Sequence, residues 1–216
     1  MGEDPKSTII ELLATYQPGK SILSSVIAHD PAIEELLSKK TIFHKLSHLS
    51  KLPFSTPIGN PEKIGADRLA VAAAAVYYYP GNNNLVIGLG SCITYNLINK
   101  YNQFMGGSIS PGMEMRFKAL HTFTTNLPLI KADWNFPLIG YDTRSSILSG
   151  ILTGMTLEVN GIIGLYKEKF NNFNVLLTGG DTPYFARHLK YVIFADPDLI
   201  FKGLYAISEH NNDAET

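Results

Sequence analysis

The sequence predicts an α/β protein of two lobes, and three observations carry that prediction. Short runs rich in β-branched residues alternate with runs of helical period. A polar turn, Gly81-Asn82-Asn83-Asn84, separates a first part of mixed composition from a strand-rich second part. Across 216 residues, 45% apolar and 11% aromatic side chains are enough to fill packed cores, which excludes a disordered chain. The boundary is placed after residue 82, giving an N-terminal lobe over 1–82 and a C-terminal lobe over 83–216.

In chain order, STIIELLATY (7–16) has helical spacing, and SILSSVI (21–27) reads as a buried strand after a Pro-Gly turn. PAIEELLSKK (31–40) returns to the helical period and TIFHKLS (41–47) alternates as a strand does. KLPFSTPIGNPEK (51–63) is too rich in proline for regular structure. IGADRLAVAAAAVYYYP (64–80) predicts a buried, alanine-rich helix stopped by Pro80 and Gly81. NLVIGLG (84–90), SCITYNLIN (91–99) and NQFMGGSIS (102–110) predict an antiparallel meander opening the second lobe.

SPGMEMRFKALHTFTTNL (110–127) then predicts a helix with Pro111 in its first turn. A long apolar helix follows over 142–170, whose glycines at 150, 154, 161 and 164 suit close packing against another helix or a second subunit. FNVLLTGGD (173–181) reads as a buried strand entering a Gly-Gly turn, DTPYFARHLK (181–190) as a short helix and YVIFADPDLIF (191–201) as strand or irregular. GLYAISEHN (203–211) reads as a terminal helix.

With 18 Lys+Arg against 19 Asp+Glu, the net charge is −1, so the basic footprint of a nucleic-acid binder is missing. The single cysteine, Cys92, cannot form an internal disulfide, and no Cys/His spacing suits structural zinc. The first twenty residues contain no long apolar run, and Lys6 stands where a myristoylation motif needs Ser or Thr. These features predict a cytoplasmic protein with neither a nucleic-acid nor a membrane partner.

Three glycine-rich turns follow β-type runs directly: GLGS (88–91), GGSISPG (106–112) and TGGD (178–181). Glycine lets backbone N–H groups approach phosphate oxygens, although each turn taken singly also reads as an ordinary tight turn. No third glycine completes a dinucleotide fingerprint, since Ile93 stands there, and no GxxxxGK[ST] occurs. Asp67 and Arg68 open the alanine-rich helix. They read either as an N-terminal helix cap with a solvated arginine, or as a general base beside an anion anchor. His44 and His48, four apart, lack a carboxylate partner and argue against a metal site. His121 and His188 read as helix-surface residues, and KEK (167–169) and the tail EHNNDAET as solvated charge.

Taken together, IGADRLA, the CITY of GLGSCITYN, GGSISPGMEMRFKALHTFT, DTRSSILSG and LLTGGD resemble the type III pantothenate kinases, in that family's order and spacing. The resemblance runs from about residue 22 to the C-terminal GLYAI. It implies two ribonuclease H-like lobes of the actin-like ATPase superfold, the first incomplete at its N-terminus. The implied activity is ATP-dependent phosphorylation of pantothenate to 4′-phosphopantothenate in coenzyme A synthesis, by a cytoplasmic homodimer using Mg²⁺ and a monovalent cation, K⁺ or NH₄⁺. By position, the resemblance makes Asp67 the proton acceptor and Gly65, Ala66, Asp67, Arg68 and Thr143 the pantothenate-binding residues. Gly90, Ser91, Thr178, Gly179 and Gly180 fall on the ATP side. Gly88 occupies the place of the aspartate associated with the monovalent cation.

Three departures accompany the likeness. The family's opening D-x-G-N-T turn, which holds ATP phosphates, has no counterpart; Gly88 carries no carboxylate; and Ile58 stands where the Y-x-N-P stretch has tyrosine. Either the true start lies upstream, or a paralogue covers its exposed sheet edge by pairing with another subunit. Phosphoryl transfer rests on positioning and charge stabilisation, and one lost donor costs about 10²–10³ in rate. Losing a phosphate turn and a cation ligand together predicts a loss of at least about 10⁴. The alternative expectation is therefore a catalytically impaired paralogue that binds pantothenate or another subunit. A ribonuclease H-like hydrolase is excluded, because Asp67 and Asp181 alone do not make a two-metal carboxylate cluster.

Overall fold

The first two helices start where the sequence places a side-chain acceptor ahead of a proline. Asp4 accepts from the Lys6 N–H at the head of α1 (Pro5–Tyr16), and Asp30 accepts from the Ala32 N–H at the head of α2 (Pro31–Lys40). The computed structural model describes residues 4–25, 28–47, 49–58 and 63–212. β1 (Lys20–Leu23) and β2 (Ile42–Lys45) pair in parallel as a two-stranded sheet. The strand read over 21–27 is thus shorter, with Val26 and Ile27 outside the described residues. His44 on β2 bonds Ser50 through Nε2 at 2.8 Å, and burial lowers its pKa. His48 lies outside the described residues.

The larger sheet holds β3 (Asn83–Leu89), β4 (Cys92–Asn99), β5 (Gln103–Pro111), β6 (Phe173–Thr178) and β7 (Phe194–Ala195), in the order β5-β4-β3-β6-β7. β4 runs antiparallel to both its neighbours, whereas β3, β6 and β7 run parallel. The meander of β3, β4 and β5 is as the sequence predicts. Successive residues of β3 point to opposite faces. Leu85, Ile87 and Leu89 join a core with Leu148, Leu152, Met155, Val159 and Ile163, while Val86 meets Val71, Ala72 and Ala75 on the other side.

Those alanines belong to α3 (Ala66–Tyr78), which is buried continuously from Leu69 to Val76. Small side chains let α3 pack in two directions, because Ala73 also joins Leu46, Ala206 and Ile207. α8 (Leu199–Asn212) crosses it so closely that a Cβ on Gly203 would stand 1.8 Å from the Ala70 carbonyl oxygen.

α4 (Met113–Phe123) starts later than the sequence suggests: Pro111 ends β5, and Gly112 intervenes before the helix. The long helix comes in three parts, α5 (Thr143–Leu148), a π-turn over Ser149–Thr153 and α6 (Gly154–Lys169). Asp142 and Ser145 start it with a reciprocal capping box. This run is long and apolar enough to cross a membrane, yet half of its apolar window is buried inside the protein against its own sheet. No neighbouring atom lies near a Cβ built on Gly150, Gly154 or Gly161, whereas one on Gly164 would meet the Tyr191 hydroxyl at 2.9 Å. α7 (Thr182–Phe185) is a single turn continued by a 3₁₀ turn over Ala186–His188. His188 is not a plain surface residue, since its ring stacks on Trp134 at 3.8 Å between centroids. That contact fastens the irregular stretch between α4 and α5.

Candidate active site

Strand ends bring the glycine turns together. Gly88 and Thr178 are register partners on β3 and β6, so the turns that follow them emerge side by side at one edge of the sheet. Gly179 adopts φ +99°, and a Cβ there would stand 2.2 Å from the Leu89 carbonyl oxygen. That oxygen instead accepts the Asp181 N–H at 3.1 Å. The third turn joins through Gly112, whose N–H donates to the Ser91 carbonyl at 3.1 Å. A Cβ on Gly112 would come within 2.0 Å of the Gly90 oxygen. The close approach therefore requires glycine on sterics alone.

The first two turns, GLGS and TGGD, line a cavity of about 490 Å³ together with Asp67, the residues involved being Gly88, Gly90, Ser91, Thr178 and Gly179. Asp67 is the second residue of α3, within its first turn, where the helix dipole favours negative charge. It is not the N-cap. Gly65 holds that position without a side-chain bond, and a Cβ there would collide with Asp67 Oδ1 at 2.6 Å. Gly180 lies just beyond the lining residues and is exposed.

Arg68, one residue on, is not itself among the residues lining that cavity and is held beside it. Its Nε donates to Asn96 Oδ1 at 2.6 Å, and its guanidinium carbon lies 5.5 Å from the Phe104 ring centroid. Burial lowers its pKa, and the neighbouring Asp67 partly opposes that. Asn96 escaped the sequence reading. Its signal is an amide in the middle of the otherwise apolar CITYNLIN run, where a fully buried polar side chain must find partners.

Thr143 sits apart from Asp67. It lines a second, larger cavity of about 1030 Å³ with Arg116, Asp142, Ser146, Phe123 and Tyr141. Arg116, also unforeseen, is ion-paired to Glu158, which further accepts from the Ser110 hydroxyl at 2.5 Å and the Tyr95 hydroxyl at 3.1 Å. Burial tends to raise the Glu158 pKa, but the bonds from Ser110, Arg116 and Tyr95 outweigh it and hold the carboxyl below its usual value. Burial first, and then Glu158, push the Tyr95 phenol well above its ordinary range, so it stays a proton donor.

The first cavity can take nucleotide phosphates, because Gly88, Gly90 and Gly179 place no side chains along its wall and the Ser91 and Thr178 hydroxyls are among its polar groups. A magnesium ion carried by phosphates needs only one or two protein carboxylates. Asp67 is the one carboxylate among the described residues lining this cavity. A monovalent-cation ligand does not fit Gly88, which offers no side chain. Among the described residues, no three His, Cys, Asp or Glu side chains cluster as a metal site.

A sequence model of type III pantothenate kinases matches residues 6–164. The chain belongs to the type III pantothenate kinase family. It is 46% identical over 192 residues to the type III pantothenate kinase of Christiangramia forsetii, covering 89% of this chain and 79% of the relative. The corresponding protein of Cytophaga hutchinsonii is 45% identical over 203 residues, covering 94% and 86%. Among solved structures, a conserved Baf family protein from Campylobacter jejuni superposes with a TM-score of 0.57 at 22% identity, covering 94% of this chain and 89% of its own. That likeness shows a shared fold. The α/β reading and the family resemblance both hold.

Proposed function

We propose that this type III pantothenate kinase family member phosphorylates pantothenate from ATP, with Asp67 as general base. The reading is carried by one observation, that Asp67 and two glycine turns from separate strands line a single cavity. When bound, ATP with Mg²⁺ supplies the phosphoryl group and neutralises its charge. Asp67 accepts the proton of the pantothenate hydroxyl. As that proton leaves, the hydroxyl oxygen bonds to the γ-phosphorus and the bond from phosphorus to the leaving diphosphate oxygen breaks. The Gly88–Ser91 and Thr178–Gly180 turns lie on the phosphate side, where glycine leaves room for close approach, and the Ser91 hydroxyl adds a donor. Arg68 anchors the pantothenate carboxylate.

Thr143 completes the pantothenate site from a second copy of the chain. Two features support a homodimer: Thr143 lines a cavity other than that of Asp67, and α6 shows Leu157, Gly161 and Leu165 outward at i, i+4 and i+8. Phe123 and Tyr141, both exposed, line the Thr143 cavity and add apolar surface there. The division into lobes at residues 82 and 83 and a cytoplasmic place belong to the same proposal, whereas K⁺ or NH₄⁺ dependence does not, since Gly88 offers the ion no ligand.

One observation favours a second reading. Gly88 has no carboxylate, which suits a protein that binds pantothenate and turns it over weakly or not at all. Phosphorylation of labelled pantothenate, with ATP, Mg²⁺ and K⁺ supplied, separates the two. The kinase reading expects product from the native chain and none above background from Asp67→Asn. Calorimetric pantothenate binding without turnover at high protein concentration overturns it in favour of the second.

A further inference from the structure

We infer that Asn96 is a positioning residue that aims the Arg68 guanidinium at the substrate carboxylate and ties it to the floor of the Asp67 cavity; this rests on the function proposed above. Asn96 is fully buried in β4, between Tyr95 and Leu97. Its amide nitrogen donates to the Val86 carbonyl and to Thr94 Oγ1, each at 3.2 Å. With both amide hydrogens so used, the amide oxygen is turned toward Arg68 Nε, which it meets at 2.6 Å.

A guanidinium is a rigid plane. Fixing Nε while the plane rests over the Phe104 ring at 5.5 Å fixes the direction of the two terminal nitrogens. Those nitrogens have no hydrogen-bond partner among the described residues, and they form the fork that recognises a carboxylate in bidentate fashion. Thr94 connects this arrangement to the chemistry. It lines the Asp67 cavity and is the register partner of Gly88, with its hydroxyl 2.8 Å from where a Gly88 Cβ would stand. Thus Gly88, Thr94, Asn96 and Arg68 form one continuous line from the cavity floor to the arginine beside Asp67. Without Asn96, the guanidinium keeps its charge and loses its direction.

The test is calorimetric affinity for pantothenate and for ATP, with turnover recorded alongside, for the native chain, Asn96→Ala, Arg68→Ala and the double variant. Loss of a bond to a charged group predicts that Asn96→Ala weakens pantothenate binding about tenfold or more, with ATP affinity changed less than about twofold. Because Asn96 acts through Arg68, adding Asn96→Ala to Arg68→Ala weakens binding no further. Asn96→Asp, which keeps an acceptor for Nε, recovers most of the affinity. Unchanged pantothenate affinity in Asn96→Ala, an equal loss for both ligands, or losses that simply multiply in the double variant overturn the inference. Should Asn96→Ala fail to fold, Asn96→Thr keeps a polar side chain in the strand and is read in the same way. A native chain that binds pantothenate without turnover removes the kinase reading and leaves this test intact. One that does not bind it removes both.

Discussion

Asp67, Gly179 and Gly88 each support a separate prediction at the scale of single residues. With Asp67 on the cavity wall, Asp67→Asn keeps the size of the side chain and removes the proton acceptor proposed above. The expected loss in kcat is about 10²–10⁴, with the thermal unfolding midpoint unchanged in the same preparation. Gly179 at φ +99° faces a carbonyl oxygen at 2.2 Å. Gly179→Ala should therefore cost at least about 1–3 kcal/mol by denaturant unfolding and also weaken ATP binding. Gly88→Asp meets only the Thr94 hydroxyl, which can rotate away. It should fold normally and raise K⁺-stimulated turnover, whereas unchanged turnover argues that the missing carboxylate does not limit the reaction. The turns and the acid that line this cavity were legible in the sequence, because glycine after a β-type run marks a turn open to close approach and an acid suits a first helical turn. Asn96 and Arg116 were not, because their roles come from partners on other strands and helices that no local pattern encodes.

Elements were more legible than their ends. Hydrophobic period gave the helices and the meander, since burial of one face imposes that spacing. Pro111 was assigned to α4 because proline suits a first helical turn equally well, but pairing of β5 with Cys92 claims it for the strand. The π-turn at Ser149–Thr153 has no sequence signature beyond its flanking glycines. Behind it, fully buried Met155 packs in the core under β3 and β4. Met155→Ala should cost about 2–5 kcal/mol by denaturant unfolding. The link between α4 and α6 through Arg116 and Glu158 gives a pH signature. Its folded pKa lies below the ordinary 4.5, so its contribution is fully present above that value and fades as pH falls through the folded one. Glu158→Gln should flatten the acid limb of the stability curve, and an unaltered limb would show that the pair adds nothing.

For the whole molecule, α3 joins what the sequence divides. It packs on the five-stranded sheet with one set of alanines and on the α8 side with another, and its first turn carries Asp67 to the cavity between turns of β3 and β6. No sequence pattern announces a helix shared in this way, since its alanine run reads only as buried. The same scale explains why Thr143 and Asp67, both assigned to pantothenate, line different hollows in one chain. In the homodimer proposed above, a two-fold axis is what brings each Asp67 cavity to the other copy's Thr143.

Mixing Asp67→Asn with Thr143→Ala chains, each nearly inactive alone, tests this arrangement directly. If the site spans two subunits, co-refolded mixtures regain about a quarter of native turnover, because half the dimers then contain one intact site. Activity no higher than that of the separate variants contradicts an intersubunit site built from Asp67 and Thr143.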